Sequence, residues 1–600
     1  MKKISFVVLL LAAVFALVAC TGEDAHEAEA VKDVDFSAVE AYSMDLSAID
    51  GYDDVVVDGT WAETYDVIIG YARLETREEQ RNELYHAAED LLMSTGAIVP
   101  LYYYTDIYMA SADLNGFFAT PSGSKYFKNT NVDGDTSNVN VVLASEPATI
   151  DPALNSAVDG ATMILHSFAG LVRYATDGSS LEPDLAVAFP TPVDAGDGKV
   201  TYTFELRSGL KWSDGSDLTA SDFVYAWNRA VADETAADYS YMFSVIDGFG
   251  TEDGLNVVAT DATHLAVTLT VDVPYFFELC AFPTYMPVQQ ATVEANPTDD
   301  TYDWATNPSS YVSNGAYVLT QWDHNSKLVY EKNDDYWDAA NVSMEQITFW
   351  LSDDDGAMLA GFNSGTYDFI DSVPTNEISN LSSEPEFHIQ GQLGTYYIIF
   401  NNNKDFVPSY ISEDYTPVEL AAANAEIRNA LSLLIDRNYI VEAIGQAGQL
   451  PASSFVAMGI QDSTGAEFYQ AAGSNAGFYG YFNTAASAYS ANCAEAVETL
   501  KKYFEYDEAT SKFTNFPTFE YILNTSSGHQ AIAEYLQSAF AAYGITMTIT
   551  SQEWGTFLET RKQGNYVLAR NGWLADFNDP INMLDMWTTD SGNNDAQFGK

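Results

Sequence analysis

Two periodicities alternate along the chain. Leu84, Ala87, Ala88, Leu91 and Leu92 recur at helical spacing behind Thr76-Arg77-Glu78-Glu79, which has the form of a capping box. Gly96 marks the end of that helix. The apolar run 97–104 then reads as a strand, with Pro100 at an edge or a crossing point. Residues 139–144 form a second strand pattern, and 200–206 alternate cleanly, apolar on one face. A turn at Trp212-Ser213-Asp214-Gly215 leads into Thr219-Ala220-Ser221-Asp222, a second capping box that opens a helix over 223–230. Residues 418–444, with Ile427, Ala430, Leu431, Leu434 and Ile435, predict one long amphipathic helical region. Strands and helices alternate throughout, so the expected class is α/β with α+β elements and several sheets. There is no short-period repeat.

The first residues change the picture of where this body resides. Met1-Lys2-Lys3 and the apolar stretch 4–19 are built like a secretory signal, too short for a comfortable membrane span. Leu17-Val18-Ala19-Cys20 resembles a bacterial lipobox, in which Cys20 carries the lipid; the alternative is an ordinary signal with a chance cysteine. The expected organisation is thus a signal peptide at 1–19 and a lipid-anchored acidic linker at 20–60. That linker carries Glu23, Asp24, Glu27, Glu29, Asp33 and Asp35 and no arginine, which reads as solvated chain holding the body off a membrane.

With 600 residues, three to four units are expected. The 86 acidic residues against 25 Lys and Arg repel phosphate, which excludes a nucleic-acid partner. Three cysteines make no disulfide framework, and Cys280 and Cys493 read as buried thiols. Gly-x-Ser-x-Gly, His-Glu-x-x-His and the phosphate-loop pattern are all absent, and the seven histidines show no metal spacing. Gly248 to Gly254 misses the dinucleotide spacing and reads as a loop. No enzyme, cofactor or metal is expected.

An ordered series of motifs carries a resemblance. Ser145-Glu146-Pro147 with Ile150-Asp151-Pro152 comes first, then Leu206-Arg207 and the run from Gly209 to Trp227. Asn314-Gly315-Ala316-Tyr317, Ile427-Arg428-Asn429-Ala430-Leu431 and Gly572-Trp573-Leu574-Ala575-Asp576 through Pro580 follow. Residues 139–600 thereby resemble the oligopeptide/dipeptide-type solute-binding proteins of ABC importers. The resemblance implies a two-lobed periplasmic binding protein-like II fold with an extra subdomain. It implies a large lobe at 139–395, with the subdomain at about 168–304, and a second lobe at 396–600. Crossings between the lobes fall near Thr395 and Val99. The partners implied are oligopeptides and the transmembrane subunits of a permease, for a monomeric receptor tethered through Cys20 to the outer face of the membrane.

One segment departs from family order. The family's C-terminal pattern, a capped helix, an Ile-Val-Pro strand with three tyrosines and a terminal Lys-Tyr-Phe-Lys, stands here at the N-terminal side. It includes Ile98-Val99-Pro100-Leu101-Tyr102-Tyr103-Tyr104 and Lys125-Tyr126-Phe127-Lys128. Circular permutation explains this, with 61–128 completing both lobes and 129–138 joining the old ends. A truncated gene with a stray tail is the alternative.

The resemblance also supplies site residues. Asp576 stands where the family places its ammonium-binding aspartate, the alternative being a loop cap in a turn-like sequence. Arg561, Arg570 and His529 match cations that meet ligand carboxylates, and surface ion pairing is the other reading for the arginines. Trp554, Trp573 and Tyr239 match cleft walls, and the backbone from Asn571 to Leu574 would pair with an extended peptide. The family's ligand-contact lysine would fall near Ile444-Gly445-Gln446, where no base exists. Trp212 and Trp227 read as core. Another solute (a sugar, a metal chelate, a signalling peptide) or a surface adhesin or chaperone-like module stand as alternative functions.

Overall fold

The computed structural model describes residues 26–600 apart from 121, 144–145, 296–302, 463 and 474–476. The signal sequence and Cys20 lie outside the described residues.

An eleven-stranded mixed sheet organises the chain. In chain order its main path holds β1 (Ile98–Ala110), β2 (Val139–Val142), β3 (Tyr317–Asp323), β4 (Lys327–Lys332), β5 (Gln346–Trp350), β6 (Phe369–Ile370), β7 (Phe387–Phe400), β8 (Phe519–Asn524), β9 (Met547–Gln552) and β10 (Leu568–Leu574). In space they run β3-β4-β5-β2-β6-β1-β7-β10-β8-β9. The two longest strands, β1 and β7, pair antiparallel at the centre. Their register steps from Gly391↔Thr105 to Thr395↔Tyr103, so β7 has two more residues there than β1 and the ladder bulges. On one side of the bulge Met109 and Phe387 pack with Ile370. On the other, Val99, Leu101, Tyr396 and Ile398 join a separate core with Leu568. Thr395 closes the bulge opposite Tyr103, and Val99 is fully buried in the second core. Pro100 is no edge residue. It lies in a central strand at a second register shift opposite Tyr397, where the ladder spares its missing N–H.

The helices used below are α1 (Trp61–Leu74), α2 (Glu78–Ser94), α3 (Val158–Ser167), α4 (Ala220–Ala230), α5 (Asp355–Asn363), α6 (Pro417–Leu433), α7 (Ser527–Ala542) and α8 (Trp554–Lys562). The first capping box belongs to α1, through Thr60 and Glu63, and not to Thr76. At the start of α2, Glu75 accepts the Arg77 N–H at 2.9 Å and pairs with its guanidinium at 2.6 Å, which leaves Arg77 as a cap without a side-chain bond. Gly96 closes α2 at φ +64, and a Cβ there would sit 2.9 Å from the Ala425 carbonyl oxygen. The second box is as expected: Asp222 accepts the Thr219 N–H at 2.7 Å at the head of α4. The long helix expected through residue 444 stops at Leu433, because Asp436 turns back to cap Asn438 and Tyr439.

The acidic stretch before α1 is corrected from a solvated linker, as far as it is described. Lys32–Asp33 pairs with Lys404–Asp405, and Tyr42–Asp45 forms a hairpin with Val56–Gly59. Met44, Leu46 and Ile49 are buried in the main core. Their apolar contacts outweigh the charge between them. From α1 onward the N-terminal region joins the body. Trp61 stacks on Phe598 at 4.0 Å, and Glu89 accepts the N–H groups of Phe455 and Val456 at 3.0 and 2.8 Å. Residues 131–132 pair with 114–115, so the expected joining stretch is itself a short hairpin arm.

A four-stranded antiparallel sheet (Val193–Gly196, Lys199–Glu205, His264–Leu269, Val257–Ala259) and α4 form the side unit. Trp212 and Trp227 are fully buried within it, and Cys280 and Cys493 are buried free thiols. Arg229 on α4 ties the unit to the large half by a two-pronged bond to Asp151, 2.9 and 2.6 Å, and Trp304 Nε1 donates to the same carboxylate at 3.0 Å. Asp151→Ala withdraws the carboxylate from a buried guanidinium and should cost about 3 kcal/mol. Urea unfolding checks this, and a loss below about 1 kcal/mol would show that the tie contributes little.

Candidate functional site

A cavity of about 470 Å³ lies between the two halves. Its second-half wall is β10 with the turn that follows, the residues leading into α7 and one face of α8; its first-half wall comes from residues 122–126, α3 and the start of α5. The side unit contributes Tyr239, Glu278 and Phe282. Contacts across the cavity close its rim: Ser527 Oγ donates to Asp355, Lys562 pairs with Asp238, and the Asn578 N–H donates to Glu278 at 3.2 Å.

Strand alternation sets the β10 wall. Half-buried Arg570, Gly572 and Leu574 alternate with buried Ala569, Asn571 and Trp573. One edge of β10 pairs with β7 along its whole length, from Leu568 to Leu574. The other pairs with β8 only at Leu568 and Ala569. From Arg570 onward, among the described residues, that edge has no strand beside it.

Asp576 faces this cavity just past β10. Asn582 accepts its backbone N–H and donates to its carboxylate, both at 3.1 Å, while also accepting Trp573 Nε1 at 3.0 Å. Burial pushes the Asp576 carboxyl up to about 7, against the bonds from Asn582 and Tyr239 that favour its charge. No Lys, Arg or His among the described residues reaches it for an ion pair.

Arg570 is its counterpart. It donates to Tyr104 Oη at 3.3 Å, lies 5.3 Å from the Tyr396 ring centre, and its buried Nε has no partner. Burial works against its charge, but Tyr104, Tyr396, Tyr102 and Tyr521 together hold it protonated. Gly572 makes this cage possible: a Cβ there would fall 2.1 Å from Tyr104 Oη.

The other expected cations differ. Arg561 lines the cavity, but Asp595 already holds its Nε at 2.6 Å and Asn571 accepts its Nη1 at 2.8 Å. His529 is corrected: it lies behind the wall, with Nδ1 3.2 Å from Tyr396 Oη, and burial with the nearby Arg570 charge pushes its pKa well below the usual value. It stands there as a neutral ring. Trp573, Trp554, Tyr239, Asn571 and Leu574 all line the cavity. Trp573 leans on Tyr239 at 5.9 Å, and the Asn571 side chain is committed to Arg561 and to the Gly572 N–H. The tyrosine cage and Asn582 escaped the sequence reading. The three consecutive tyrosines at 102–104 were the available signal, but they read there only as a strand.

Two packed halves, a side unit and a charged cleft between them define a two-lobed binding protein. The chain belongs to the bacterial extracellular solute-binding proteins, family 5, whose model matches residues 180–595. It is 30% identical to the oligopeptide-binding protein OppA of Bacillus subtilis over 521 residues, covering 83% of this chain and 85% of that one. Among solved structures it is similar to the murein tripeptide binding protein MppA of Escherichia coli, with a TM-score of 0.63 and 28% identity over 77% of this chain and 84% of that one. It is also similar to Haemophilus influenzae OppA in complex with the peptide RPPGFSPFR, with a TM-score of 0.64 and 28% identity over 77% and 85%. No helix of the described residues is long and apolar enough to cross a membrane.

The raised Asp576 pKa sets a sign for stability. A carboxyl titrating above its unfolded value favours the fold at low pH, and this contribution is lost as pH rises through about 7. Asp576→Asn removes that buried charge. The unliganded variant should be more stable than the parent at pH 8, on the order of 2 kcal/mol, with the gap less than half as large at pH 5 and vanishing only below about pH 4. Parallel thermal unfolding at the two pH values measures it, and a pH-independent gap would contradict the assignment.

Proposed function

We propose that this chain is an extracytoplasmic receptor that captures oligopeptides in the interlobe cavity and hands them to the membrane subunits of an ABC importer. The observation that carries the reading is a pair of uncompensated charges on one wall. Among the described residues Asp576 has no cation and Arg570 no acid paired with it, and the strand edge beyond Arg570 is bare. A peptide in extended form offers the complement: an ammonium, a carboxylate and a ladder of backbone groups. Six positions separate the two along the chain, the last two beyond the end of β10, so their Cα atoms lie at most about 20 Å apart. The reach of the arginine takes up roughly a third of that, leaving room for at most about four residues of extended chain. The relatives whose names or titles describe peptide binding support the same reading.

Nothing is chemically transformed. Ligand contacts from both lobes favour the closed arrangement by differential affinity, and the importer reads it. The receptor acts as a monomer, tethered by lipid on Cys20. Residues 61–128 are the family's C-terminal segment carried to the N-terminal side. In support, β1 sits between β6 and β7 in the sheet, a position no dispensable tail would occupy.

Asp576→Ala should weaken binding of a free tri- to pentapeptide by about 2 kcal/mol or more and leave an N-acetylated peptide unaffected. In the parent protein affinity should fall as pH drops below 7, because the free carboxyl then carries a proton that it must release to meet the ammonium. Calorimetric titration tests both, and equal affinity for acetylated and free peptides would overturn the ammonium assignment. A reordered chain with residues 61–138 placed after Lys600 should fold and bind with unchanged affinity; failure to fold would count against permutation.

A further inference from the structure

Asp238 is held from both sides of the cleft. It belongs to the side unit, one residue before the cavity tyrosine Tyr239, and does not itself line the cavity. From the second half, Lys562 at the end of α8 pairs with its carboxylate. From the first half, Ser156 just ahead of α3 donates to the same Oδ2 atom at 3.0 Å. At the two other rim contacts the donor is a hydroxyl or a backbone N–H, whereas this one joins full opposite charges. Both side chains are less than a third exposed, so solvent and salt screen the pair less than they would in the open.

The backbone of the second half reaches the same point. A Cβ on Gly592 would lie 2.4 Å from the Asp238 Cα atom and 2.7 Å from its Oδ1, so only glycine permits this approach. The loop that carries Gly592 is fixed from both ends. Buried Asn594 accepts the Phe598 N–H at 3.1 Å and donates to the Phe598 carbonyl at 2.9 Å, and Asp66 on α1 accepts the Thr589 N–H at 3.0 Å. A charge pair and a close backbone approach thus converge on one residue of the side unit. Both exist only while the halves meet, so both favour that arrangement over a separated one.

We infer that Asp238, gripped by Lys562 and seated against Gly592, is the latch between the two halves: a positioning residue that sets the affinity for every peptide alike. This rests on the peptide reading above. Asp238 acts through the closed arrangement and not through the ligand. Its loss therefore multiplies the apparent dissociation constant of every ligand that needs closure by one common factor. The latch engages after encounter, so the change falls on the rate of dissociation.

The test is calorimetric titration and stopped-flow binding of the full chain with tetraalanine and with its derivatives carrying lysine or glutamate at the third position. Asp238→Asn and Lys562→Met should each weaken all three peptides about tenfold, through faster dissociation at a nearly constant association rate. The loss should be the same for the three peptides to within about threefold. The double variant should bind within about threefold of either single one, because each removes the same pair. Gly592→Ala keeps both charges and should weaken the three peptides in the same uniform way. Unchanged affinity in Lys562→Met overturns the inference, as do losses that add in the double variant. A loss confined to the glutamate peptide also overturns it, because Lys562 is then a ligand contact. If a variant at 238 or 592 fails to fold, Lys562→Met decides alone. If none of the three peptides binds the parent protein, the peptide reading itself falls and this inference with it; a binding parent with unaffected variants removes the inference alone.

Discussion

The antiparallel pairing of β1 with β7 is the constraint through which the rest of the molecule is positioned. Past the bulge at Gly391–Thr395 the two strands bury one face in the main core and the other in the second core, and before it they pack into a smaller cluster with Met109 and Phe387. Because β7 carries β10 along its second half, the same pairing that joins the lobes also sets Arg570, Gly572 and Leu574 against the cavity. Tyr104 belongs to the segment of β1 at the bulge, and its hydroxyl reaches over β7 to the space above Gly572. The guanidinium of Arg570 is therefore held by the element that connects the lobes. A bulge in a central ladder costs backbone bonds, and here it lies beside the site.

The electrostatics of the cleft follow from burial more than from pairing. Several buried ions in this protein are paired, as Arg229 is with Asp151 and Arg561 with Asp595. Asp576 and Arg570 are different: each is fixed in place by neutral groups, Asn582 and Tyr239 in one case and tyrosines in the other. Neutral hydrogen bonds orient a charge without cancelling it, which leaves its field available to a ligand. An internal salt bridge at either position would have given a more stable unliganded protein with less to offer a zwitterion. The committed ion pair of Arg561 shows that alternative a few residues away in the same wall.

Local patterning made much of this legible. The α2 periodicity, the clean alternation of 200–206, the Thr219–Asp222 box and the buried tryptophans of the side unit all follow from propensity and apolar spacing, which act over a few residues. Where the reading erred, a distant partner had intervened. The acidic stretch at the start folds because Met44, Leu46 and Ile49 meet a core built from residues far along the chain. Pro100 tolerates a central strand because its register shift is set by β7.

The sequence by itself determined the class of fold, the family likeness and which side chains could carry charge in the cleft, because motifs and periodicities are written in adjacent residues. Only the tertiary structure decided which of those charges stay uncompensated. Arg561, Arg570 and His529 look alike as cations along the chain, yet Asp595 neutralises the first, a tyrosine cage keeps the second charged and burial discharges the third. The reason is physical: desolvation and pairing depend on what lies within a few ångströms in space, and those neighbours come from tens to hundreds of residues away.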